Sequence, residues 1–231
     1  MRKGLLAVFS GGIGCVMMVI FGLSIAWQCM PVYAAQTLQL QDPPVILPCG
    51  VDGTELVAKH LVYYEGPYWE SGGQEVAGVA ALLIENAGCL MVAHGAVILQ
   101  WGADTLVFEL SSLPPGERVL VLEKDRQTAP QARPDQCYGW AKQEYPENMG
   151  HVAVEAVGGT TMAVVNRTAG EIPLVQICYK TRDPGSGIFL GGISYTVEVR
   201  NLRPGEKRLL SPYRYVCGNS AVVSILAYTE K

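Results

Sequence analysis

Hydrophobic and polar residues alternate along this chain in short runs, which is the pattern of half-buried β-strands. The clearest runs are 105–111 and 194–200, where every second residue is apolar. Each is followed by a Pro-Gly turn and another short apolar run. Further strand-like runs cover 61–64, 79–84, 97–99, 119–122, 152–157, 162–165, 174–179, 209–210 and 221–228. Helical periodicity is not found after residue 40, so the pattern predicts an all-β protein.

Two stretches of the chain are similar to each other. Residues 89–121 align without a gap with residues 178–210, and eight of the 33 aligned positions are identical. Upstream, an offset of 80 instead of 89 matches Asn86 with Asn166, which predicts nine extra residues between Asn166 and Cys178. The apolar faces of the aligned strands share one register, so we interpret the stretches as a duplicated unit.

The spacing of the strands predicts β-sandwiches. Short strands separated by Gly, Pro and Asn are typical of this architecture. One sandwich per copy gives domains at 42–125 and 148–231. Residues 126–147 contain three prolines and predict a connector between the two.

Both copies share an Asn followed by a strand pair that closes in Leu-x-Pro-Gly-Glu, at 113–117 and 202–206. This arrangement resembles the bacterial extracellular immunoglobulin-like repeats of the cell-adhesion-related type. The resemblance implies that the two β-sandwich domains are immunoglobulin-like and arranged in tandem, and the uncharged run over residues 4–27 adds an N-terminal hydrophobic helix before them. It also implies a surface scaffold or binding role, which is an analogy because a fold does not specify a function.

The first 34 residues have the features of an export signal. Arg2 and Lys3 precede an uncharged run over residues 4–27, and a Val-x-Ala ending predicts cleavage after Ala34. The run is also long enough to span a bilayer, so the alternative is an uncleaved membrane anchor through residues 4–27. Either interpretation predicts an extracytoplasmic protein, secreted or N-terminally membrane-anchored.

Composition and charge limit the kinds of partner that the chain can be expected to bind. With 49% hydrophobic residues the chain is too apolar to be disordered, and a pI near 5.4 argues against a nucleic-acid partner. Residues 42–125 carry 12 acidic and 3 basic side chains, whereas residues 126–231 carry 9 acidic and 12 basic. This opposed charge favours docking of one part on the other, or head-to-tail self-association between molecules.

Two clusters of side chains are candidate binding surfaces. The aromatic segment consists of Tyr63, Tyr64, Tyr68 and Trp69. Aromatic rings carry much of the energy of interfaces, although packing inside the protein is the alternative interpretation. The basic patch consists of Arg200, Arg203, Lys207 and Arg208. It suits an anionic wall polymer or lipid headgroups.

Five cysteines follow the leader, at positions 49, 89, 137, 178 and 217. Disulfides form outside the cytoplasm, and the candidates are Cys178–Cys217 and Cys49–Cys137. The alternative is that Cys89 and Cys178 are equivalent, reduced hydrophobic positions. The absence of a Cys-x-x-Cys motif and the separation of the three histidines argue against a zinc site.

Motifs of catalysis are missing from the sequence. Neither Gly-x-Ser-x-Gly nor Ser-x-x-Lys occurs, so no nucleophilic serine enzyme and no cofactor are predicted. We therefore expect a non-catalytic binding or assembly module of the cell envelope, whose partner is an envelope protein or polymer. The alternatives are a structural spacer and an envelope hydrolase with an unrecognised site.

Overall fold

A computed structural model describes the protein over residues 40–70, 74–145 and 150–228. The leader, with its predicted cleavage site and the alternative membrane helix, lies outside the described residues. Within the described ranges no helix is long and apolar enough to cross a membrane. Residues Thr37–Lys231 form one unit by their contacts.

The described residues form fourteen strands and no helix, which confirms the all-β class. The strands are β1 (Leu40–Gly50), β2 (Leu56–Pro67), β3 (Glu75–Asn86), β4 (Met91–Trp101), β5 (Asp104–Leu113), β6 (Arg118–Leu122), β7 (Gln136–Glu144), β8 (Val152–Gly158), β9 (Thr161–Asn166), β10 (Ile172–Thr181), β11 (Phe189–Leu190), β12 (Tyr195–Leu202), β13 (Lys207–Leu210) and β14 (Ser220–Tyr228).

Four sheets enclose two main cores. In the first half, a sheet of order β1-β2-β3-β6-β11 and a sheet of order β5-β4-β7 share one core, to which Ile84, Leu99 and Phe108 contribute. In the second half, sheets of order β13-β9-β8 and β12-β10-β14 share another core, which contains Val164 and Ile177. The apolar residues of the runs 105–111 and 194–200 face these two interiors, and a third, smaller cluster lies on the opposite face of the five-stranded sheet.

A buried asparagine ends β3 and organises the turns around it. The Asn86 Nδ2 donates to the backbone oxygens of Leu90, at 2.8 Å, and Leu113, at 2.9 Å. Its Oδ1 accepts a bond from the Gly88 amide. The Asn86 amide donates to the Glu117 carbonyl in the Pro-Gly turn. One side chain thus ties the end of β3 to the loops on both sides of the β4–β5 hairpin.

Asn166 makes the same set of bonds at the end of β9. Its Nδ2 donates to the backbone oxygens of Gly170, at 2.8 Å, and Leu202, at 2.9 Å, and its Oδ1 accepts from the Thr168 amide. Its own amide donates to the Glu206 carbonyl. The aligned asparagines and Pro-Gly turns of the sequence therefore have matching geometry.

The nine extra residues of the second half lie in a different place from the one predicted. Leu99 pairs with Leu106 across the β4–β5 hairpin, whereas Tyr179 pairs with Tyr195 across the longer β10–β12 connection. The extra residues are therefore between β10 and β12 and not between Asn166 and Cys178.

This register also corrects the proposed equivalence of Cys89 and Cys178. Cys178 lies inside β10 opposite Thr196, just as Ile98 in β4 lies opposite Val107. Cys89 is an exposed residue that precedes β4. The ungapped alignment matched them because it placed the nine extra residues before Cys178, whereas they follow it.

The predicted connector at 126–147 contains a strand. β7 pairs antiparallel with β4, so the first half extends through Glu144 and does not end at residue 125. Pro130 and Pro134 precede β7 and Pro146 follows it, so the prolines bound the strand and do not interrupt it. The second half also contributes β11 to the first sheet, where it runs parallel to β6.

Candidate functional site

The connection between β10 and β12, residues 180–194, docks on the first half of the fold, and we call it the clasp. Its short strand β11 pairs with Val119 and Leu120 of β6. Phe189 is fully buried in the first core, and the Gly191 amide donates to the Leu120 carbonyl at 2.8 Å. The clasp therefore completes a sheet and a core that belong to the other half.

Glu70 anchors the clasp through backbone amides. One of its carboxylate oxygens accepts bonds from Gly192, at 2.7 Å, and Leu122, at 3.4 Å, and the other accepts a bond from Ile193 at 3.3 Å. Burial raises the pKa of Glu70, while these amides and the nearby Lys180 ammonium act in the opposite direction. These bonds stabilise the buried Glu70 carboxylate in place of water.

Lys180 is the buried counterpart of Glu70. Its Nζ donates to the backbone oxygens of Ser111, at 3.0 Å, Gly192, at 3.2 Å, and Ile193, at 2.7 Å. Burial lowers the pKa of Lys180 to about 8, against the opposing effect of Glu70. The ammonium is therefore charged at neutral pH, and it binds carbonyls from both halves of the fold.

A second cation of the clasp reaches the first half. Arg182 pairs with Glu117 at 2.7 Å, and its guanidinium carbon lies 4.3 Å from the centre of the Phe189 ring. Arg182 thus joins the basic half of the chain to a carboxylate of the acidic half, whereas Lys180 binds a backbone carbonyl there.

We expect Gly192→Ala to destabilise the protein by about 3 kcal/mol, as overpacking does. A Cβ at this position would overlap the Glu109 carbonyl oxygen, which is backbone and has little freedom to shift. The matched control is Gly170→Ala, where nothing lies near the added Cβ, and its effect should stay within about 0.5 kcal/mol. Urea denaturation measures the stability of both variants. Equal losses would contradict the close packing of Gly192 of the clasp against the Glu109 backbone.

Two hollows adjoin beside the clasp, and together we call them the junctional groove. One, of about 550 Å³, is lined by Tyr68, Glu109 and Arg126 among others, and the second, of about 640 Å³, includes Glu144 and Gln176. His94 and Ser194 line both. The groove therefore runs between the first half, the clasp and the β12-β10-β14 sheet.

A chain of hydroxyl groups forms the floor where the hollows meet. The Ser194 Oγ lies 3.1 Å from the Ser111 Oγ and 3.2 Å from the Ser112 Oγ, and the Ser112 Oγ lies 3.4 Å from the Cys178 Sγ. Within the described part of the chain His94 bonds none of these hydroxyls. These hydroxyls can donate and accept hydrogen bonds, so the floor of the groove is polar.

The aromatic segment is largely internal, which corrects its assignment to a contact surface. Tyr64 and Tyr68 are each 3% exposed, while Tyr63 and Trp69 are half-buried. The three tyrosine hydroxyls each donate to a backbone carbonyl, and the Trp69 ring packs on Tyr64 at 4.7 Å between centroids. The buried rings and hydrogen-bonded hydroxyls agree with the alternative interpretation, that these residues pack inside the protein. Of the four, only Tyr68 lines the junctional groove.

The basic patch is exposed but largely neutralised. Arg200, Lys207 and Arg208 form ion pairs with glutamates at 3.0, 2.9 and 2.6 Å. Within the described ranges, the Arg203 side chain has no ion-pair or hydrogen-bond partner. Arg200, Arg203 and Arg208 line one shallow hollow together with Glu206, so the patch offers little unpaired positive charge.

The two candidate disulfides differ in the structure. The Cys178 thiol contacts Ser112, whereas the Cys217 amide donates to Gly159, and no contact between these two thiols occurs among the described residues. Cys49 and Cys137 are neighbours, since the Cys49 thiol contributes to the raised pKa of Cys137 and both residues pack against the first core. The described residues contain no cluster of three or more His, Cys, Asp or Glu side chains that could hold a metal.

The clasp, Glu70, Lys180 and His94 were missed by sequence reasoning. The available signal was the nine-residue excess of the second copy, together with a lysine that directly follows the apolar run 174–179. No family model matches the chain, and comparison with curated proteins and with solved structures finds no similar protein. The function is therefore inferred from the clasp and the junctional groove.

Proposed function

We propose that this protein is an exported, non-catalytic binding module of the cell envelope. In this proposal two immunoglobulin-like β-sandwiches, derived from a duplicated unit, are fixed by the clasp and bind a partner in the junctional groove. The matching bonds of Asn86 and Asn166 support the duplication, and the leader pattern supports export. The observation that carries the binding role is the groove itself, because ligand sites occur preferentially where domains meet.

The groove walls suit an extended polar partner, either an envelope protein or an envelope polymer. Its floor presents the hydroxyls of Ser112 and Ser194, and its sides add His94, Gln176 and the Glu144 carboxylate. Such groups form hydrogen bonds with sugar hydroxyls or with peptide backbone. At one end Tyr145 is 75% exposed and offers an aromatic face.

We expect His94→Trp to weaken binding to isolated envelopes at least about tenfold, which corresponds to about 1.4 kcal/mol. His94 is exposed at the point that both hollows share, so a larger ring there obstructs the groove without entering a core. Co-sedimentation of the full chain with purified envelopes measures the effect.

Arg203→Ala is the matched control for the groove variant, since Arg203 belongs to the basic patch and lies outside the groove. It should bind envelopes as the unchanged protein does. If His94→Trp binds normally while Arg203→Ala does not, the basic patch and not the groove is the contact surface. Both variants should keep the thermal midpoint of the unchanged protein.

Export makes a separate prediction about the mature chain. A cleaved leader gives a protein that begins at Ala35, whereas an anchored protein keeps residues 4–27. Intact-mass measurement on material extracted from envelopes distinguishes the two forms. Recovery of the protein from the cytoplasmic fraction alone would contradict export.

The clasp favours a structural spacer as the second candidate function. A rigid junction holds two sandwiches at a fixed separation even if the groove binds nothing. An unrelated sandwich in place of the second half would preserve a spacer's function and abolish that of the groove. Head-to-tail association, which the opposed charges also favour, would give a salt-sensitive rise of mass in light scattering.

A further inference from the structure

Two cysteine thiols meet at one edge of the first half of the fold. Cys49 lies on β1, the edge strand of one sheet, and Cys137 lies on β7, the edge strand of the facing sheet. The two thiols lie close enough for Cys49 to raise the pKa of the Cys137 thiol, after the larger effect of burial. Both are partly buried and pack against the first core.

Backbone contacts hold these two strands together independently of the thiols. The Asp52 amide donates to the Cys137 carbonyl at 3.4 Å, and Asp52 forms a parallel bridge with Tyr138. Gly139 permits this close approach, since a Cβ there would overlap the Ala96 carbonyl oxygen and lie 2.9 Å from the Val51 side chain. The thiol pair is therefore positioned by the fold.

The other cysteines of the described residues lack such a partner. Cys89 is exposed, the Cys178 thiol contacts a serine hydroxyl, and Cys217 makes no thiol contact within these ranges. Each described cysteine is a free thiol in the structure. Cys49 and Cys137 are thus the one described pair already placed for reaction with each other.

We propose that Cys49 and Cys137 form a disulfide that staples the two sheets of the first half at the β1–β7 edge. Each thiol loses its proton and one electron as the sulfur–sulfur bond forms, and a disulfide donor such as oxidised glutathione is reduced to two thiols by exchange. The two cysteines are far apart in sequence, so the bond closes a long loop and strongly restricts the unfolded chain. This modification does not depend on what the groove binds.

The direct test is a non-reducing peptide map of the full chain after incubation with oxidised glutathione. Burial raises the pKa of the Cys137 thiol, so free thiols should be alkylated in denaturant to make labelling complete. The expected product joins the peptides of Cys49 and Cys137 and is two hydrogens lighter than the separate peptides. Alkylation of both cysteines, or linkage of either to a different cysteine, would overturn the proposal.

Thermal unfolding provides a second readout. A reductant should lower the midpoint of the oxidised protein by roughly 5–15 °C, the shift expected for a structural disulfide in a chain of this size. Cys89→Ser should keep this reductant-dependent shift, and Cys49→Ser/Cys137→Ser should lose it. A shift that persists in the double variant would assign the bond elsewhere, and the peptide map decides the matter even if that variant fails to fold.

Discussion

Replacing Lys180 by methionine is expected to lower the free energy of unfolding by about 3–5 kcal/mol, because three backbone carbonyls lose a charged donor and each unpaired buried group costs about 1–3 kcal/mol. Methionine keeps the length of the side chain but cannot donate to the carbonyls of Ser111, Gly192 and Ile193. It also leaves the Glu70 carboxylate without its buried cation. The variant should therefore hold the clasp less firmly on the first half of the fold.

Urea denaturation at pH 7 measures this loss. The control is Lys207→Met, because Lys207 forms an exposed pair with Glu155 and such pairs contribute at most about 1 kcal/mol. If the two methionine variants are equally stable, Lys180 does not hold the junction.

The same lysine makes stability depend on pH in the alkaline range. Its pKa is about 8 in the folded protein and near the ordinary 10.5 in the unfolded chain. Below pH 8 both states keep the proton, whereas between about pH 8 and 10.5 only the unfolded chain keeps it, so stability rises with pH in that window. Above pH 10 the raised pKa of Tyr179, to about 12, opposes this because the unfolded tyrosine ionises first. Lys180→Met should lack the rise between pH 8 and 10.

The second large effect is expected at Asn86. Asn86→Ala should destabilise the protein by about 3 kcal/mol, because two carbonyls, of Leu90 and Leu113, lose their donor and an unpaired buried group costs about 1–3 kcal/mol. Asn86→Asp keeps the shape and the acceptor but removes the donors, so its loss should be similar. Asn166→Ala should match Asn86→Ala, since the bonds are the same.

Denaturation in urea compares these variants with Asn219→Ala. Within the described residues the Asn219 side chain makes no hydrogen bond, so its replacement should change stability by no more than about 0.5 kcal/mol. Full stability of Asn86→Asp would show that the two donated bonds are dispensable, contrary to the geometry.

Local patterns predicted the strands well, because alternation reflects which face of a strand is buried. The same reasoning missed the clasp, since Lys180 finds its partner Ser111 far away in sequence and such a contact leaves no periodicity. Strand β7 was missed because its face is only half-buried and its flanking prolines resemble a linker.

Surface chemistry was harder to predict than the fold. Clustering of aromatic residues does not reveal burial, and the Tyr68 hydroxyl bonds a carbonyl, that of Glu123, which only the folded chain brings near. The neutralised basic patch was partly predictable. Glu198 and Arg200 are two residues apart on one strand and therefore share a face, where they form an ion pair.

The claim that the clasp unites both halves is tested most directly by native-state hydrogen exchange at increasing urea concentrations. Val97 lies in β4 and Ile177 in β10, the central strands of two sheets in different halves. If the clasp makes the halves unfold together, both amides should exchange with the same opening free energy and the same urea dependence. If Ile177 exchanges through a smaller opening while Val97 stays protected, the halves unfold independently and the united junction is contradicted.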